Sequence, residues 1–153
     1  NVKLLVDSFK VFRKKRPKSV LLVLGDGPER DKLDGEGIIS TGFVSDPEKY
    51  LRAMDVYVFL SKTETSALSL MEAISSGVPV VTSDAGLIPT YVNSRTGIVL
   101  KKSQLKRELV VRAIDMVYKS PVKSKLKSVG AKLFTDSRNW EDIANDLKRT
   151  FED

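Results

Sequence analysis

The chain has 153 residues, of which 41% are hydrophobic and 30% charged, a composition that suits one folded domain with a sizeable core. It has no cysteine, which excludes disulfides and thiolate metal sites, and no histidine, which excludes Ser-His-Asp and Cys-His catalysis. No apolar run approaches the ~18 residues of a membrane-spanning helix, and no signal peptide heads the sequence. We therefore expect a cytoplasmic protein.

The net charge of +6 is unevenly distributed. Residues 101–132 carry ten Lys or Arg and only two acidic residues. Nucleic-acid binding would favour aromatic side chains among these charges, and Tyr118 is the only one in the segment, so we expect no nucleic-acid partner. A solvated helical surface is the first interpretation. The second is contact with an anionic membrane, peripheral at its inner face.

The apolar periodicity predicts helices alternating with short strands along the chain. The predicted helices cover approximately residues 1–15, 29–33, 46–53, 66–76, 87–92, 103–119, 122–134 and 137 onward, and the predicted strands 19–24, 38–39, 55–60, 78–82 and 96–100. This alternation predicts a single α/β domain over residues 1–153, a Rossmann-like, doubly wound parallel sheet with C-terminal helices. Ligands bind beyond the carboxyl ends of the strands in such sheets, where the loops at 25–28, 42–44, 61–66 and 83–86 should lie.

The most informative stretch is residues 61–81, which predicts a strand, a loop, a helix and a second strand. Thr65 and Ser66 are suitable N-caps for the helix, and Gly77 falls just past its expected end near Ser76. The unpaired N–H groups and the dipole at the start of such a helix favour an anion. We therefore predict an anion site in this loop.

Glu72 is an unusual residue in this apolar helix. Counted from Ser66 it lies about 9 Å along the helix axis, so it could accept hydrogen bonds from hydroxyls farther along a ligand bound at the N-terminus. A buried carboxylate needs donors, which suggests that it has them. The alternative is an ion pair with a nearby Lys or Arg at the sheet edge.

The same stretch resembles the signature of retaining nucleotide-sugar glycosyltransferases of the GT-B fold, the family 4 or group 1 glycosyltransferases. Glu64 and Glu72 are separated by seven residues, with Leu68 between them and Gly-Val-Pro-Val-Val at 77–81. The resemblance extends over nearly the whole chain, through residues 22–30, 41–44, 53–58, 83–86, Pro89, Gly97 and 140–144.

The resemblance implies the donor-binding, C-terminal half of a hexosyltransferase of polysaccharide or glycolipid biosynthesis. The family's first strand of this half, its loop with the Arg and Lys that hold the diphosphate, and its N-terminal acceptor domain are not in these 153 residues. The implied donor is a UDP or GDP sugar, transferred with retention and without a metal or other cofactor. The acceptor sugar or lipid would bind mainly to the other domain, so the isolated chain should be inactive.

The resemblance also implies a role for each matching residue. Glu64, the closest to a catalytic residue, would contact the donor sugar, and Val44 would meet the base through its main chain. Backbone N–H groups of Ser66, Ala67 and Leu68 would face the diphosphate, and Glu72 would accept from the ribose. The predicted substrate-binding set is Val44, Thr65, Ser66, Ala67, Leu68 and Glu72.

The chain departs from the family pattern inside this motif. Thr65, Ser66 and Ala67 stand where the family commonly has Gly-Phe-Gly, and Thr90 replaces the usual Glu after Pro89. Glycine allows close backbone approach, so the Ala67 methyl is expected near the phosphate. Two alternatives therefore stay open: a catalytically silent homologue or partner subunit that uses the fold for assembly, and an unrelated nucleotide-binding module.

Overall fold

The computed structural model describes residues 1–120, so the helices predicted at 122–134 and from residue 137 onward lie outside the described residues. The helices are α1 Val2–Lys15, α2 Pro47–Ala53, α3 Leu68–Ser75, α4 Ile88–Tyr91 and α5 Arg107–Lys119, with 3₁₀ turns at Arg30–Lys32 and Lys102–Gln104. The strands are β1 Leu21–Val23, β2 Ile38–Ser40, β3 Tyr57–Phe59, β4 Val80–Ser83 and β5 Gly97–Leu100. Over residues 1–120, no helix combines the length and apolar character that a membrane span requires.

All the strand pairs within residues 1–120 are parallel, which confirms the predicted α/β class. The strands form two sheets, however: β1 pairs with β2, and β4 lies between β3 and β5. Among residues 1–120 no strand joins β1 to β3, which is why the expected single sheet is divided. The parallel register of each pair still places the loops that follow the strands at the carboxyl edges of the sheets.

Two hydrophobic clusters cover the two faces of the β3–β4–β5 sheet. Val80 of β4 packs with residues of α2, α3 and α4, including Ile74 and Ile88. The next residue, Val81, packs with residues of α1 and α5, including Ile114. Successive strand side chains point to opposite faces, so β4 is buried between two layers of helices. This is the doubly wound arrangement that the alternating pattern predicts.

Arg16, at the C-terminal end of α1, links this helix to α5. Its guanidinium donates to the Asp115 carboxylate at 2.9 Å and lies over the ring of Tyr118, 4.5 Å from its centre. Hydrogen bonds from Lys119 and then from Arg16 lower the pKa of Asp115. The two helices are therefore linked by charge as well as by apolar packing.

The predicted helix from Ser103 is wrong at its start. A 3₁₀ turn ends at Gln104, and Leu105 and Lys106 have extended backbones before α5 begins at Arg107. The half-buried Leu105 packs against the cluster between α1 and α5. Burial of this side chain accounts for a break that helix propensity does not indicate.

We expect Ile74→Ala to lower the free energy of unfolding by about 2–5 kcal/mol, since it empties a fully buried site in α3. The matched change Ile39→Ala removes the same atoms from a side chain that is 51% exposed, and should cost about 1 kcal/mol or less. Urea unfolding of both variants measures the difference. Equal losses would contradict the assignment of α3 to the core.

Candidate functional site

Two loops meet at the carboxyl edge of the three-stranded sheet. The first follows β3 and is called the Glu64 loop, residues 61–67; the second follows β4. The Ser83 hydroxyl donates to the Ser61 carbonyl at 2.5 Å, and the Asp84 carboxylate accepts from the Lys102 N–H at 2.7 Å. The Asn1 amide donates to the Leu60 carbonyl at 2.7 Å. The Glu64 loop is therefore tied to the loop that follows β4, and α1 is tied to the residue just before the Glu64 loop.

An open cavity of about 460 Å³ brings most of the predicted site residues together. Its lining consists of Phe59, Glu64, Thr65, Ser66, Ala67, Leu68 and Ser69. Glu72 lies one turn farther along α3. Val44 does not line this cavity, because it follows β2 on the other sheet.

The start of α3 differs from the prediction. Neither Thr65 nor Ser66 caps the helix, which begins at Leu68 without a side-chain cap. Ala67 occupies the N-cap position in the left-handed conformation, with φ +45°, and its carbonyl accepts the N–H groups of Leu70 and Met71. At the other end the helix stops at Ser75, and Gly77 has φ +76°, so the predicted end near Ser76 is confirmed.

The side chain of Ala67 is buried in the apolar cluster, where only 7% of it is exposed. It packs with residues such as Leu70 and Ile88. The sequence placed this methyl group close to a bound phosphate. In the fold it belongs to the core, so the backbone of Ala67 is the part that faces the loop's surroundings.

The segment that follows β4, residues 86–91, packs on the Glu64 loop and is called the α4 segment. Gly86 has φ +53°, and a Cβ atom there would lie 2.0 Å from the Glu64 carbonyl oxygen. The Leu87 N–H donates to the Thr65 carbonyl at 3.4 Å, and the Tyr91 hydroxyl donates to the Ser66 carbonyl at 3.1 Å. Only a residue without a side chain permits the approach at Gly86.

Two tyrosines lie close to the carboxylates of the motif. Burial raises the pKa of Tyr57; a hydrogen bond with Ser69 lowers it, and the charges of Glu72 and Glu64 raise it further. Burial and the charge of Glu64 raise the pKa of Tyr91. The charges of Glu64 and Glu72 therefore both act on Tyr57. Neither tyrosine stands out in the sequence, since an aromatic residue in a strand or a short helix is an ordinary core residue.

Glu72 is exposed on α3, so the argument that it is a buried carboxylate is wrong. It is four residues beyond Leu68, or about 6 Å along the helix axis. Within residues 1–120 it forms no ion pair with a Lys or Arg, so the ion-pair alternative finds no support there. Its carboxylate is available to solvent or to a ligand.

A second open cavity, of about 530 Å³, adjoins the same edge between the start of α1, Glu29 and residues 61–63. The loops after β1 and β2 meet beside it, where the Gly25 N–H donates to the Gly42 carbonyl at 2.7 Å. Val44 is half-buried next to Phe43, which is 86% exposed. In the described part of the chain no group of three acidic side chains could hold a metal ion.

Comparison with known proteins gives a family match to glycosyl transferases group 1 over residues 1–120. Alpha-monoglucosyldiacylglycerol synthase of Acholeplasma laidlawii is 30% identical over 123 residues, which are 73% of this chain and 30% of that protein. A capsular polysaccharide biosynthesis glycosyltransferase of Staphylococcus aureus is 30% identical over 112 residues, 67% of this chain and 30% of that protein. The chain thus spans about a third of the length of these two relatives.

The solved structures agree on the fold. The GtfA/B complex matches 98% of this chain and 33% of its own, with a TM-score of 0.78 and 22% identity. Sucrose-phosphate synthase from Thermosynechococcus elongatus matches 96% of this chain and 41% of its own, with a TM-score of 0.76 and 21% identity. The parallel sheets with flanking helices are those of a GT-B glycosyltransferase, and the chain belongs to the glycosyl transferases group 1 family.

Proposed function

We propose that the chain is the donor-binding half of a retaining glycosyltransferase. The observation that carries this proposal is the arrangement of the Glu64 loop. This loop places Glu64 in a cavity at the start of α3, and Glu72 follows one turn along the same helix. The family membership supports the reaction class. A nucleoside diphosphate sugar, with UDP or GDP as the nucleotide, has the anion and the hydroxyls that this arrangement can accommodate.

The diphosphate would bind the backbone N–H groups at the start of α3. Over residues 1–120 no protein group accepts a hydrogen bond from the N–H of Thr65, Ser66, Ala67 or Leu68. These donors and the helix dipole would offset the charge that the leaving diphosphate acquires, so we propose a reaction that needs no metal. Fixed backbone donors are suited to this task because they need not reorganise during the reaction.

The other roles follow the family pattern. Glu72, exposed and one turn away, would accept from the ribose hydroxyls, and the Val44 main chain would meet the base. Glu64 would orient the sugar and stabilise the positive charge at its anomeric carbon. The bond from this carbon to the diphosphate breaks, and its electron pair leaves with the nucleotide. The acceptor oxygen bonds to the same face of the sugar, and its proton passes to the departing diphosphate oxygen.

The division of the sheet supports a donor half that contains one more strand. In a doubly wound sheet of order 3-2-1-4-5-6, strand 1 lies between the strands that correspond here to β1 and β3. We propose that the first strand of the family's donor half, which would precede Asn1, fills this position. The acceptor, a sugar or a lipid, would bind mainly to a separate N-terminal domain, and the 153-residue chain alone would have little transferase activity.

The relatives and the composition of the chain bear on the pathway and the cellular location. The relatives that match include an enzyme of diacylglycerol glycosylation and one of capsular polysaccharide synthesis, which supports a glycolipid or polysaccharide pathway. The absence of cysteine supports a cytoplasmic location, and contact with the inner face of the membrane is the alternative to a solvated basic surface. The solvated-surface interpretation of the basic segment is supported by the exposure of its described members: Lys101, Lys102, Lys106, Arg107, Arg112 and Lys119.

We expect Glu72→Gln to weaken nucleotide binding by roughly one to two orders of magnitude, since a hydrogen bond to a charged group contributes ~1.5–3 kcal/mol. Thermal-shift screening of the chain with UDP, GDP, ADP and their sugars identifies the nucleotide, and calorimetric titration then gives the affinity. Stability should hardly change, because Glu72 is exposed. Glu108→Gln, at an exposed position of α5, is the matched control and should leave affinity unchanged.

Unchanged affinity with a clear loss of stability in Glu72→Gln would contradict the ligand role. If no nucleotide or sugar nucleotide binds the wild-type chain, the silent homologue or partner subunit is the better interpretation.

We expect the chain alone not to co-sediment with vesicles that contain anionic lipid at ~0.15 M salt, where the Debye length is ~8 Å. The physical reason is that its exposed cations are solvated and several are already partnered, as in the 2.6 Å contact between Lys119 and Asp115. Co-sedimentation that disappears in a Lys106→Glu, Arg112→Glu variant would instead favour a peripheral membrane role.

A further inference from the structure

Three consecutive carbonyl groups of the Glu64 loop face the α4 segment. The Glu64 carbonyl oxygen points at the backbone of Gly86, the Thr65 carbonyl accepts the Leu87 N–H, and the Ser66 carbonyl accepts the Tyr91 hydroxyl. Two of these contacts come from the main chain and would survive most substitutions. The contact to Ser66, at 3.1 Å, depends on the identity of residue 91.

This arrangement fixes the direction of the N–H groups that follow. A peptide unit is planar and trans, so the N–H of each residue points away from the carbonyl of the residue before it. With the carbonyls of residues 64–66 turned toward the α4 segment, the N–H groups of Thr65, Ser66 and Ala67 point to the opposite side. These N–H groups have no protein acceptor in residues 1–120, and their residues line the 460 Å³ cavity.

Ala67 explains why the loop needs such support. It is the only non-glycine residue with a positive φ in the described part of the chain, and this conformation is unfavourable for an L-residue. It follows Ser66 directly, so a peptide flip between the two would relieve the strain and reverse the Ala67 N–H. The hydrogen bond from Tyr91 holds the Ser66 carbonyl in the orientation that prevents the flip.

We propose that Tyr91 is a positioning residue for the donor site: its hydroxyl holds the Ser66 carbonyl so that the Ala67 N–H faces the diphosphate. This inference rests on the proposed function. Burial and then the charge of Glu64, the proposed sugar-contacting carboxylate, raise the pKa of Tyr91. Tyr91 lies on the four-residue helix α4, and Val92 and Ile88 of the same segment are buried. The hydroxyl is therefore presented from a well-packed support.

The first test is Tyr91→Phe, which removes one oxygen atom and keeps the ring. We expect the affinity for the free diphosphate that the wild-type chain binds, UDP, GDP or ADP, to fall roughly three- to tenfold, the value of one hydrogen bond. The matched control is Tyr118→Phe. Tyr118 is on α5, and its ring lies against Arg16, which joins α1 to α5. A merely structural role for Tyr91 would lower the melting temperature and leave the affinity unchanged, and that result would overturn the proposal.

The second test needs no ligand. The Leu87 N–H is bonded to the Thr65 carbonyl, and the N–H groups of Leu70 and Met71 are bonded to the Ala67 carbonyl, so their hydrogen exchange reports on the loop. In Tyr91→Phe these amides should exchange roughly two- to tenfold faster, with no change in Tyr118→Phe. Unchanged exchange would overturn the proposal even if no nucleotide binds.

The two measurements separate the two hypotheses. If wild-type chain binds none of the three nucleotides, the proposed function fails, and faster exchange would still establish that Tyr91 orders the loop. If wild-type chain binds and Tyr91→Phe binds equally well, the positioning role fails while the donor site stands.

Gly86→Ala tests a different contact between the α4 segment and the Glu64 loop. Its Cβ would lie 2.0 Å from the Glu64 carbonyl oxygen, so the loop must shift, and nucleotide affinity should fall more than tenfold. Gly27→Ala is the control, since a Cβ there meets nothing within 4 Å. Native-like circular dichroism with unchanged affinity in Gly86→Ala would show that loop position does not matter. If Gly86→Ala does not fold, the Tyr91→Phe measurements decide.

Discussion

The burial of β4 between two layers of helices is the constraint on which the rest of the structure depends. Val80 and Val81 contribute to different hydrophobic clusters, and β4 also pairs with strands on both sides. A strand held in this way cannot shift its register without exposing one set of side chains. The end of β4 therefore fixes the position at which the α4 segment begins. The neighbouring strand β3 does the same for the Glu64 loop.

The site is built mainly from backbone groups. In the Glu64 loop the N–H groups of residues 65–67 have no protein acceptor within residues 1–120, the Thr65 and Ser66 carbonyls accept hydrogen bonds from the α4 segment, and the side chain of Ala67 is turned into the core. This construction tolerates changes in side chains as long as the path of the backbone is kept. It offers a physical account of how Thr65, Ser66 and Ala67 can replace the family's glycines. A left-handed alanine takes the conformation that a glycine would adopt more easily, and the surrounding contacts hold it there.

The acidic and basic side chains lie in different parts of the structure. The carboxylates of Glu64 and Glu72 lie around Tyr57 at the candidate site, while the exposed cations of α5 lie on the other helical layer, where Arg16 joins α1 to α5. Backbone dipoles, rather than lysine or arginine, are thus the positive groups in the cavity that Phe59 and residues 64–69 line. The cavity beside it, with Lys3 and Lys62 in its lining, offers side-chain cations at its border.

The sequence by itself determined the α/β class, the positions of the main strands and the end of α3 near Gly77, because each depends on local periodicity or on a turn-forming glycine. Only the tertiary structure decided the rest. The helix α3 begins at Leu68, and not after a cap at Thr65 or Ser66, because the carbonyls of these two residues accept hydrogen bonds from the α4 segment. These contacts join residues more than twenty positions apart. Glu72 is exposed rather than buried because its face of α3 turns away from β4, and an apolar neighbourhood in sequence cannot reveal that orientation.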